Sequence, residues 1–398
     1  MPRVTWAVLL AALLSASCSA APTSSATSTK PATRSAGPTS SPTGSALRAC
    51  RSSQEVTRTG GIRSNLPVLT LATGLAGADD LLAEPDPSGA TGDRLLVGEL
   101  DAGRIAVLGG GTGASQLAAH VPTVEGLAEV GGVLYAADQR DDRVVRLGAD
   151  GSVRTVLQLR PVPGLEGVDG LGSDGRDLLV PDSARGQVLV IDPSGRVLRR
   201  IGGFARPTDA WALADGSLLV ADENGGQVVR VSPDGARTVL ARGLTGADDV
   251  VAGAEGTVWA IGIGGGVLVR IQGGRMATVA RGFGHPQGLA VDSAGNLDVA
   301  DLKTGVVSAV VTSMVLPPPA TVTVTPGQPL CVELVRAPGF TEPVALSVGR
   351  GGRVLSDVGT GTRGAVVPPP CPGRCTLLVR AKAGRLEASE VLVYATRG

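Results

Sequence analysis

The central part of the chain repeats a short pattern about every 40 residues, and this repeat constrains the fold more than any other feature. Each copy is an aliphatic stretch that leads into a turn rich in Gly, Asp or Asn. The fifth positions of the copies, which serve as anchors of the alignment, are Glu99, Asp138, Asp182, Asp222, Gly262 and Asp301. A regular period of this length that consists of short β segments is typical of propeller blades.

The fourth copy divides into four strands that are joined by tight turns. We predict an inner strand at 211–213, followed by strands at 218–221, 227–231 and 237–240. The turns between them contain Asp-Gly or Asn-Gly pairs, which supply the positive φ that tight hairpins need. Six such units predict a six-bladed β-propeller at residues 66–312, in which closure of the ring leaves only short strand edges.

The sixth copy lacks a fourth strand of its own, because its third strand ends near Val311 and Pro317 follows soon after. Upstream, residues 68–75 resemble the fourth-strand segments at 238–244 and 278–283. We therefore predict that this N-terminal strand completes the last blade.

From about residue 320 the sequence alternates between apolar and polar residues without the repeat. Five such segments within about 80 residues predict a small β-sandwich at 313–398, which we interpret as an accessory or docking domain. The predicted fold class is thus all-β, a six-bladed propeller followed by a small sandwich.

The N-terminus has the features of an export signal. An apolar run at 4–14 is too short to span a bilayer but suits a signal peptide, and Cys18 follows in a sequence that resembles a bacterial lipobox. We predict a signal peptide at 1–18 with lipidation of Cys18, the alternative being ordinary secretion. Residues 19–65 form a Ser-, Thr- and Pro-rich stalk and lead-in, so the protein is expected outside the cytoplasm and anchored to the membrane by lipid alone.

Four further cysteines favour two disulfides in an exported chain. They are Cys50, Cys331, Cys371 and Cys375, and four cysteines allow three pairings. If Cys50 is bridged, its partner must lie in the C-terminal segment. Within that segment, Cys331–Cys375 and Cys331–Cys371 are both plausible bridges.

The composition excludes several classes of function. The 36 basic and 36 acidic residues give a net charge of +0, which argues against a nucleic-acid binder. Only 2% of the residues are aromatic, so a site that stacks bases or sugars is disfavoured.

The units resemble NHL repeats and the six-bladed propellers of the gluconolactonase and senescence-marker family. The match is clearest in HPQGLAVD at 285–292 and GNLDVAD at 295–301. The resemblance implies the fold but not the activity, because propellers host many functions. It also implies a divalent cation near the channel, although the Asn ligands and the general base of those enzymes have no counterpart here. The acids at the ends of the second strands, such as Asp222, are interpreted as structural acceptors of backbone N–H groups.

A second set of acids falls at the start of the innermost strands. Four of them precede their anchors by 13 residues, and Asp80, in a unit with an insertion, is added because residues 77–80 match residues 246–249. Five of the six blades carry one, and the set comprises Asp80, Glu125, Asp169, Asp209 and Asp249. Carboxylates that converge on one axis repel each other and need a cation, a raised pKa or hydrogen bonds. We keep three interpretations: hydrogen bonds to a turn or to the next blade, a structural cation, or a functional site for Ca²⁺ or another divalent cation.

Two functions follow from this set of features. The first is a non-catalytic, surface-anchored propeller that binds a protein or a small ligand at its loop face, with His285 and Gln287 as candidate contacts. The second is a metal-dependent, gluconolactonase-like hydrolase, for which the only catalytic candidates are His285 and Glu125. The missing Asn ligands and base favour the first function. We expect a monomer that does not bind nucleic acid.

Overall fold

The computed structural model describes residue 47 and residues 50–52, 57–85, 93–109, 115–253, 256–317, 320–349 and 351–396. The predicted signal peptide, Cys18 and the greater part of the stalk lie outside this part of the chain. Within these ranges the chain is almost entirely β-structure, with 3₁₀ turns at Ser183–Arg185 and Ile263–Gly265. These ranges contain no helix with the length and hydropathy required to cross a bilayer.

The first three repeats each form an antiparallel sheet of four strands, in which neighbours in sequence are neighbours in the sheet. Blade 1 consists of Ala78–Pro85, Asp93–Glu99, Arg104–Leu108 and Ser115–His120. Blade 2 consists of Val124–Val130, Val133–Asp138, Arg143–Leu147 and Val153–Gln158. Blade 3 consists of Gly172–Ser173, Leu178–Asp182, Gln187–Ile191 and Val197–Gly202.

The other three repeats follow the same plan, with strands that precede blade 1 in the sequence added to two of them. Blade 4 consists of Pro207–Ala212, Leu218–Asp222, Gln227–Val231 and Arg237–Arg242. Blade 5 consists of Ala247–Ala252, Val258–Gly262, Val267–Gln272, Arg275–Arg281 and the added Arg63–Ser64. Blade 6 consists of Pro286–Val291, Leu297–Asp301, Val306–Val310 and the added Val68–Ala72.

The blades form a closed ring. The innermost strand of each blade contacts that of the next blade, and the innermost strand of blade 6 contacts that of blade 1. Aliphatic side chains fill the space between adjacent sheets, as where Leu219 of blade 4 packs in one cluster with Val250 and Val269 of blade 5. Burial of these faces is the main source of stability for such a ring. The prediction of an all-β propeller fold is confirmed.

The N-terminal strand closes the ring as predicted. Val68–Ala72 pairs antiparallel with Val306–Val310, and Leu69 lies opposite Ala309. Leu69 is fully buried, so this strand contributes to the core as well as to the hydrogen-bonded ladder. The fourth strand of blade 6 thus comes from the opposite end of the repeat region.

The acids that end the second strands are structural, as expected, but their donors lie mainly in another loop. Asp222 accepts hydrogen bonds from the backbone N–H groups of Ala205 and Arg206, which precede the innermost strand of the same blade. Asp301 also reaches forward and accepts from Thr304 N–H in the following turn. Each carboxylate therefore fixes the loop that leads into the propeller axis.

The C-terminal part contains two four-stranded sheets that share one hydrophobic core. One sheet comprises Arg51–Ser52, Leu330–Glu333, Arg363–Val367 and Arg353–Ser356, and the other comprises Val322–Val324, Leu386–Thr396, Arg374–Ala383 and Ala345–Val348. A separate pair of strands is formed by Met314–Val315 and Val335–Arg336. The domain boundaries at 66–312 and 313–398 stay predictions.

The disulfides differ from the pairings considered for the C-terminal segment. Cys50 is bonded to Cys331, and Cys371 is bonded to Cys375, so both Cys331–Cys375 and Cys331–Cys371 are wrong. The reason is topological: Arg51–Ser52 pairs in parallel with the strand that contains Cys331 and brings Cys50 beside it. The sequence could not show this pairing, because it depends on a strand of two residues.

The two disulfides are expected to differ in their contribution to stability. Cys50–Cys331 closes a loop with a sequence separation of 281, whereas Cys371–Cys375 spans 4. Loop entropy predicts that removing the first bridge costs about 6 kcal/mol of unfolding free energy and removing the second about 2 kcal/mol. Denaturant unfolding of Cys50→Ser/Cys331→Ser and Cys371→Ser/Cys375→Ser variants measures both. Equal losses would contradict the expectation.

Candidate functional site

A bulge near the start of the innermost strand recurs in five of the six blades. The register shifts between Ala78 and Leu81, Val124 and Gly126, Pro207 and Asp209, Ala247 and Val250, and Pro286 and Gly288. A bulge leaves a residue unpaired and re-aims its side chain. In blade 4 the innermost strand begins at Pro207, four residues before the predicted start at 211. Pro207 pairs with Asp222 and Asp209 pairs with Ala221, so the strand continues through the bulge at Thr208.

The bulged positions of these five blades form a ring with Asp169, which precedes the short innermost strand of blade 3 and shows no bulge. We call it the mouth ring, because it lies at the end of the channel where the innermost strands begin. Its members, one from each blade, are Asp79, Glu125, Asp169, Thr208, Asp248 and Gln287. The residue that directly follows each mouth-ring member in the chain belongs to a second ring, which we call the staple ring. Its members are Asp80, Gly126, Gly170, Asp209, Asp249 and Gly288.

The single acid ring predicted from the sequence is therefore two rings. Of its members, Glu125 and Asp169 belong to the mouth ring, whereas Asp80, Asp209 and Asp249 belong to the staple ring. The interval between the mouth ring and the anchor is one position longer in blades 4 to 6 than in blades 2 and 3. A fixed count back from the anchor consequently reaches the mouth ring in blades 2 and 3 but the staple ring in blades 4 to 6.

The staple ring joins neighbouring blades. In three blades its carboxylate accepts a hydrogen bond from the backbone N–H that directly follows the staple-ring residue of the next blade. These bonds run from Leu127 to Asp80 (2.5 Å), from Val250 to Asp209 (3.3 Å) and from Leu289 to Asp249 (2.6 Å). For Asp80, Asp209 and Asp249, these bonds correspond to the first of the three interpretations, in which the acids form hydrogen bonds to the next blade.

Glycine occupies the staple ring in the other three blades because the next blade comes too close for a side chain. A Cβ on Gly288 would lie 2.1 Å from the carbonyl oxygen of Asp79, and a Cβ on Gly126 would lie 2.5 Å from the nitrogen of Leu171. The staple position therefore carries either an acid that bonds to the neighbouring blade or no side chain at all.

The mouth ring surrounds a narrow cavity of ≈ 10 Å³, which has room for about one water molecule. Asp79 is only 3% exposed, and its Oδ2 atom has no hydrogen-bond partner in the structure. The buried Oε1 atom of Gln287 also lacks a partner and lines the same cavity. Thr208, in contrast, donates to the carbonyl oxygen of Asp248 at 2.7 Å. The cavity thus faces buried oxygen atoms that have no hydrogen-bond partner among the residues that the structure describes.

Burial raises the pKa values of the mouth-ring acids. Burial, with Glu125 and Asp248 adding repulsion, raises the pKa of Asp79 well above its ordinary value. The pKa of Glu125 rises to about 9, mainly through burial and then through repulsion from Asp169. Burial likewise raises the pKa of Asp169 to about 6, although Arg206 opposes the shift. The ring therefore holds protons at neutral pH when no other cation is present.

Arg206 neutralises one side of the mouth, and sequence analysis did not identify it. Its Nη2 atom lies 2.7 Å from Asp169 Oδ2 and 2.6 Å from Glu166 Oε2, and its Nη1 atom contacts Glu223. The guanidinium is 20% exposed, so it lies between the buried ring and the solvent. The signal in the sequence was its place in the loop directly before an innermost strand.

Of the two predicted ligand contacts, the structure brings only Gln287 to the mouth cavity. His285 lies in the loop two residues earlier, half-buried, and its backbone N–H donates to Asp301. The residues that line the mouth cavity do not include His285. Its side chain is therefore not part of the acid cluster with which the sequence associated it.

Hard oxygen donors such as carboxylates and amides suit Ca²⁺, Mg²⁺ or Mn²⁺. However, in the part of the chain that the structure describes, no three Asp, Glu, His or Cys side chains are grouped so as to hold one ion. The donor chemistry fits a divalent cation, but the side chains would have to move together to bind it.

Comparison with known proteins gives similarities of fold only. No protein-family model matches the sequence, and no curated protein matches it. A virginiamycin B lyase from Staphylococcus aureus is 14% identical, with 62% of this chain and 98% of that chain covered and a TM-score of 0.47. A candidate gluconolactonase is 15% identical over 65% of this chain and 96% of that chain, with a TM-score of 0.48. A candidate glucose dehydrogenase from Thermus thermophilus is 19% identical over 61% and 99%, with a TM-score of 0.49.

The raised pKa values predict that stability falls as the pH rises. An acid whose folded pKa lies above its unfolded value binds more protons in the folded state, so its contribution is lost between those two values. For Glu125 this window runs from 4.5 to about 9. In the presence of a chelator, the free energy of unfolding should fall by up to about 1.4 kcal/mol per pH unit for each such proton.

The variant Glu125→Gln should reduce the fall of the unfolding free energy with pH. It should also raise the stability at pH 8 to 9 relative to the unsubstituted protein. Asp234→Asn, in an exposed turn, serves as the matched control and should leave the slope unchanged. Denaturant titrations at several pH values measure the effect. A slope that Glu125→Gln does not alter would contradict the assignment of the proton to the mouth ring.

Proposed function

We propose that this chain is an exported, lipid-anchored protein that binds a protein or small-molecule ligand at the loop face of its propeller. A divalent cation in the mouth ring takes part in this binding. The observation that carries the proposal is Asp79, whose carboxylate is 3% exposed and has an unpartnered oxygen beside Glu125 and Asp248.

An unpaired carboxylate in such a place is costly unless it is protonated or meets a cation. Asp79, Glu125 and Asp248 would hold the ion, with the Gln287 amide oxygen as a further donor. The three carboxylates come from blades 1, 2 and 5 and Gln287 from blade 6, so binding would draw several blades toward one point. The ion would supply positive charge to oxygen atoms of a ligand at the loop face.

Several observations favour binding over catalysis. The mouth cavity of ≈ 10 Å³ admits a water molecule or an ion but not an organic substrate. Arg206 already pairs with Asp169 and Glu166, and His285 lies outside the lining of the cavity. We therefore assign no residue a catalytic role. The ligand is expected to remain at the loop face, with the cation below it.

Calorimetric titration of the full chain with Mn²⁺ or Ca²⁺ tests the cation. We expect one site, with proton release that depends on pH because the cation displaces protons from the ring. Asp79→Asn should weaken binding at least about tenfold, since it removes a charged oxygen ligand. Asp234→Asn should leave it unchanged. An absence of binding, or binding that Asp79→Asn does not affect, would refute the proposal, and lactone hydrolysis that requires Glu125 would refute its non-catalytic part.

The proposed anchor is tested separately. Cys18→Ser is expected to abolish lipidation, because the thiol is the atom that carries the lipid, and to move the protein from the membrane fraction to the soluble fraction. Metabolic labelling with a fatty acid and cell fractionation measure both effects. Cys371→Ser/Cys375→Ser is the control, since both cysteines lie far beyond the signal and their bridge spans only 4 residues, so labelling should not change. Unchanged membrane association of Cys18→Ser would contradict the anchor.

A further inference from the structure

The propeller channel contains a second cavity beyond the staple ring, at the end opposite the mouth. It has a volume of ≈ 340 Å³ and is lined by the parts of the innermost strands that run from the staple ring toward the first hairpin turn of each blade. This volume is in the range of small-molecule sites. The cavity is separate from the mouth cavity, and only Asp80, Asp209 and Asp249 line both.

The walls of this cavity are mainly apolar. Leu82, Leu127, Leu171 and Leu289 contribute aliphatic side chains, and Trp211 contributes an aromatic ring. Trp211 is half-buried in a chain that has only three Trp residues. Apolar walls with a few placed polar groups are the usual composition of a small-ligand site.

The ionisable groups that line the cavity are all acids. Asp80, Asp209 and Asp249 lie at its inner end, and Glu84 and Glu129 lie on its wall. No Lys, Arg or His is present among the described residues of the lining. A cavity with these walls favours a positively charged guest over an anion.

The two wall acids differ in their surroundings. Arg94 forms an ion pair with Glu84, which is 7% exposed. Glu129 accepts a hydrogen bond from Gly132 N–H at 3.0 Å. Burial raises the pKa of Glu84 to about 7, and a hydrogen bond with Glu129 adds to the shift. The two carboxyls therefore lie close together, and Glu129 is the one that Arg94 does not neutralise.

The C-terminal sandwich packs on the same face of the propeller. Ser293, in the first hairpin turn of blade 6, donates from its hydroxyl to the carbonyl oxygen of Glu387 at 2.6 Å. Glu387 belongs to the strand Leu386–Thr396 of the sandwich. The described lining of the cavity, however, comes from the propeller alone.

We propose that this cavity binds a small organic cation, an ammonium group on an aliphatic or aromatic body. The body lies against Leu82, Leu171 and Trp211. The ammonium is directed to the carboxylate of Glu129. The face of the Trp211 indole adds attraction for the cation. This proposal does not rest on the cation proposed for the mouth ring, although Asp80, Asp209 and Asp249 line both cavities.

Calorimetric titration of the full chain with n-hexylammonium tests the proposal. We expect saturable binding, with 1-hexanol at least about tenfold weaker because it lacks the charge, and no binding of hexanoate. This comparison uses only the unsubstituted protein, so it does not depend on a variant that folds. Equal affinity for hexanol, or no binding of hexylammonium, would overturn the proposal.

Variants locate the site. Glu129→Gln keeps the size and the acceptor oxygen, and it should weaken hexylammonium about tenfold while leaving hexanol unchanged. Trp211→Leu should also weaken hexylammonium. Asp215→Asn, in an exposed turn of the same face, is the matched control and should have no effect. If Asp248→Asn abolishes binding and Glu129→Gln does not, the amine binds in the mouth ring and the proposal is wrong.

Discussion

Six innermost strands must begin around one axis, and the rest of the molecule depends on how their first residues are accommodated there. A bulge at the same place in five blades turns one side chain into the channel and leaves the next residue beside the neighbouring blade. The ring closes only because these two positions meet different demands. A staple-ring residue either forms a hydrogen bond to the backbone of the next blade or is a glycine that leaves room for it. The mouth-ring residues place their side chains together around one small buried cavity.

The two rings therefore use the same residue type for different purposes. At the staple ring a carboxylate such as Asp249 accepts a hydrogen bond from the backbone of the adjacent blade at 2.6 Å. This bond opposes the effect of burial, although burial still raises the pKa of Asp249 well above its ordinary value. At the mouth ring Asp79 has an oxygen with no such partner. Burial and like charge then leave protonation or a cation as the only ways to stabilise the group. Arg206 resolves this conflict for Asp169 but lies to one side of the ring.

The sequence predicted the fold well because the evidence for it is periodic. The repeat located the blades, and the likeness of residues 68–75 to other fourth strands predicted how the ring closes. The two acid rings could not be separated, since one residue more or less in a hairpin turn shifts the count. Nor could the sequence show the Cys50–Cys331 pairing or the role of Arg206, because both depend on contacts between segments far apart in the chain.

The central claim is that acids of the mouth ring can take a cation whereas acids of the staple ring cannot. Anomalous diffraction from crystals grown with Mn²⁺ tests this most directly, since it gives the position of the ion independently of any assay. We predict one peak within coordination distance of Asp79, Glu125 and Asp248. A peak at Asp80, Asp209 and Asp249, or no peak in the channel at saturating Mn²⁺, would contradict the account.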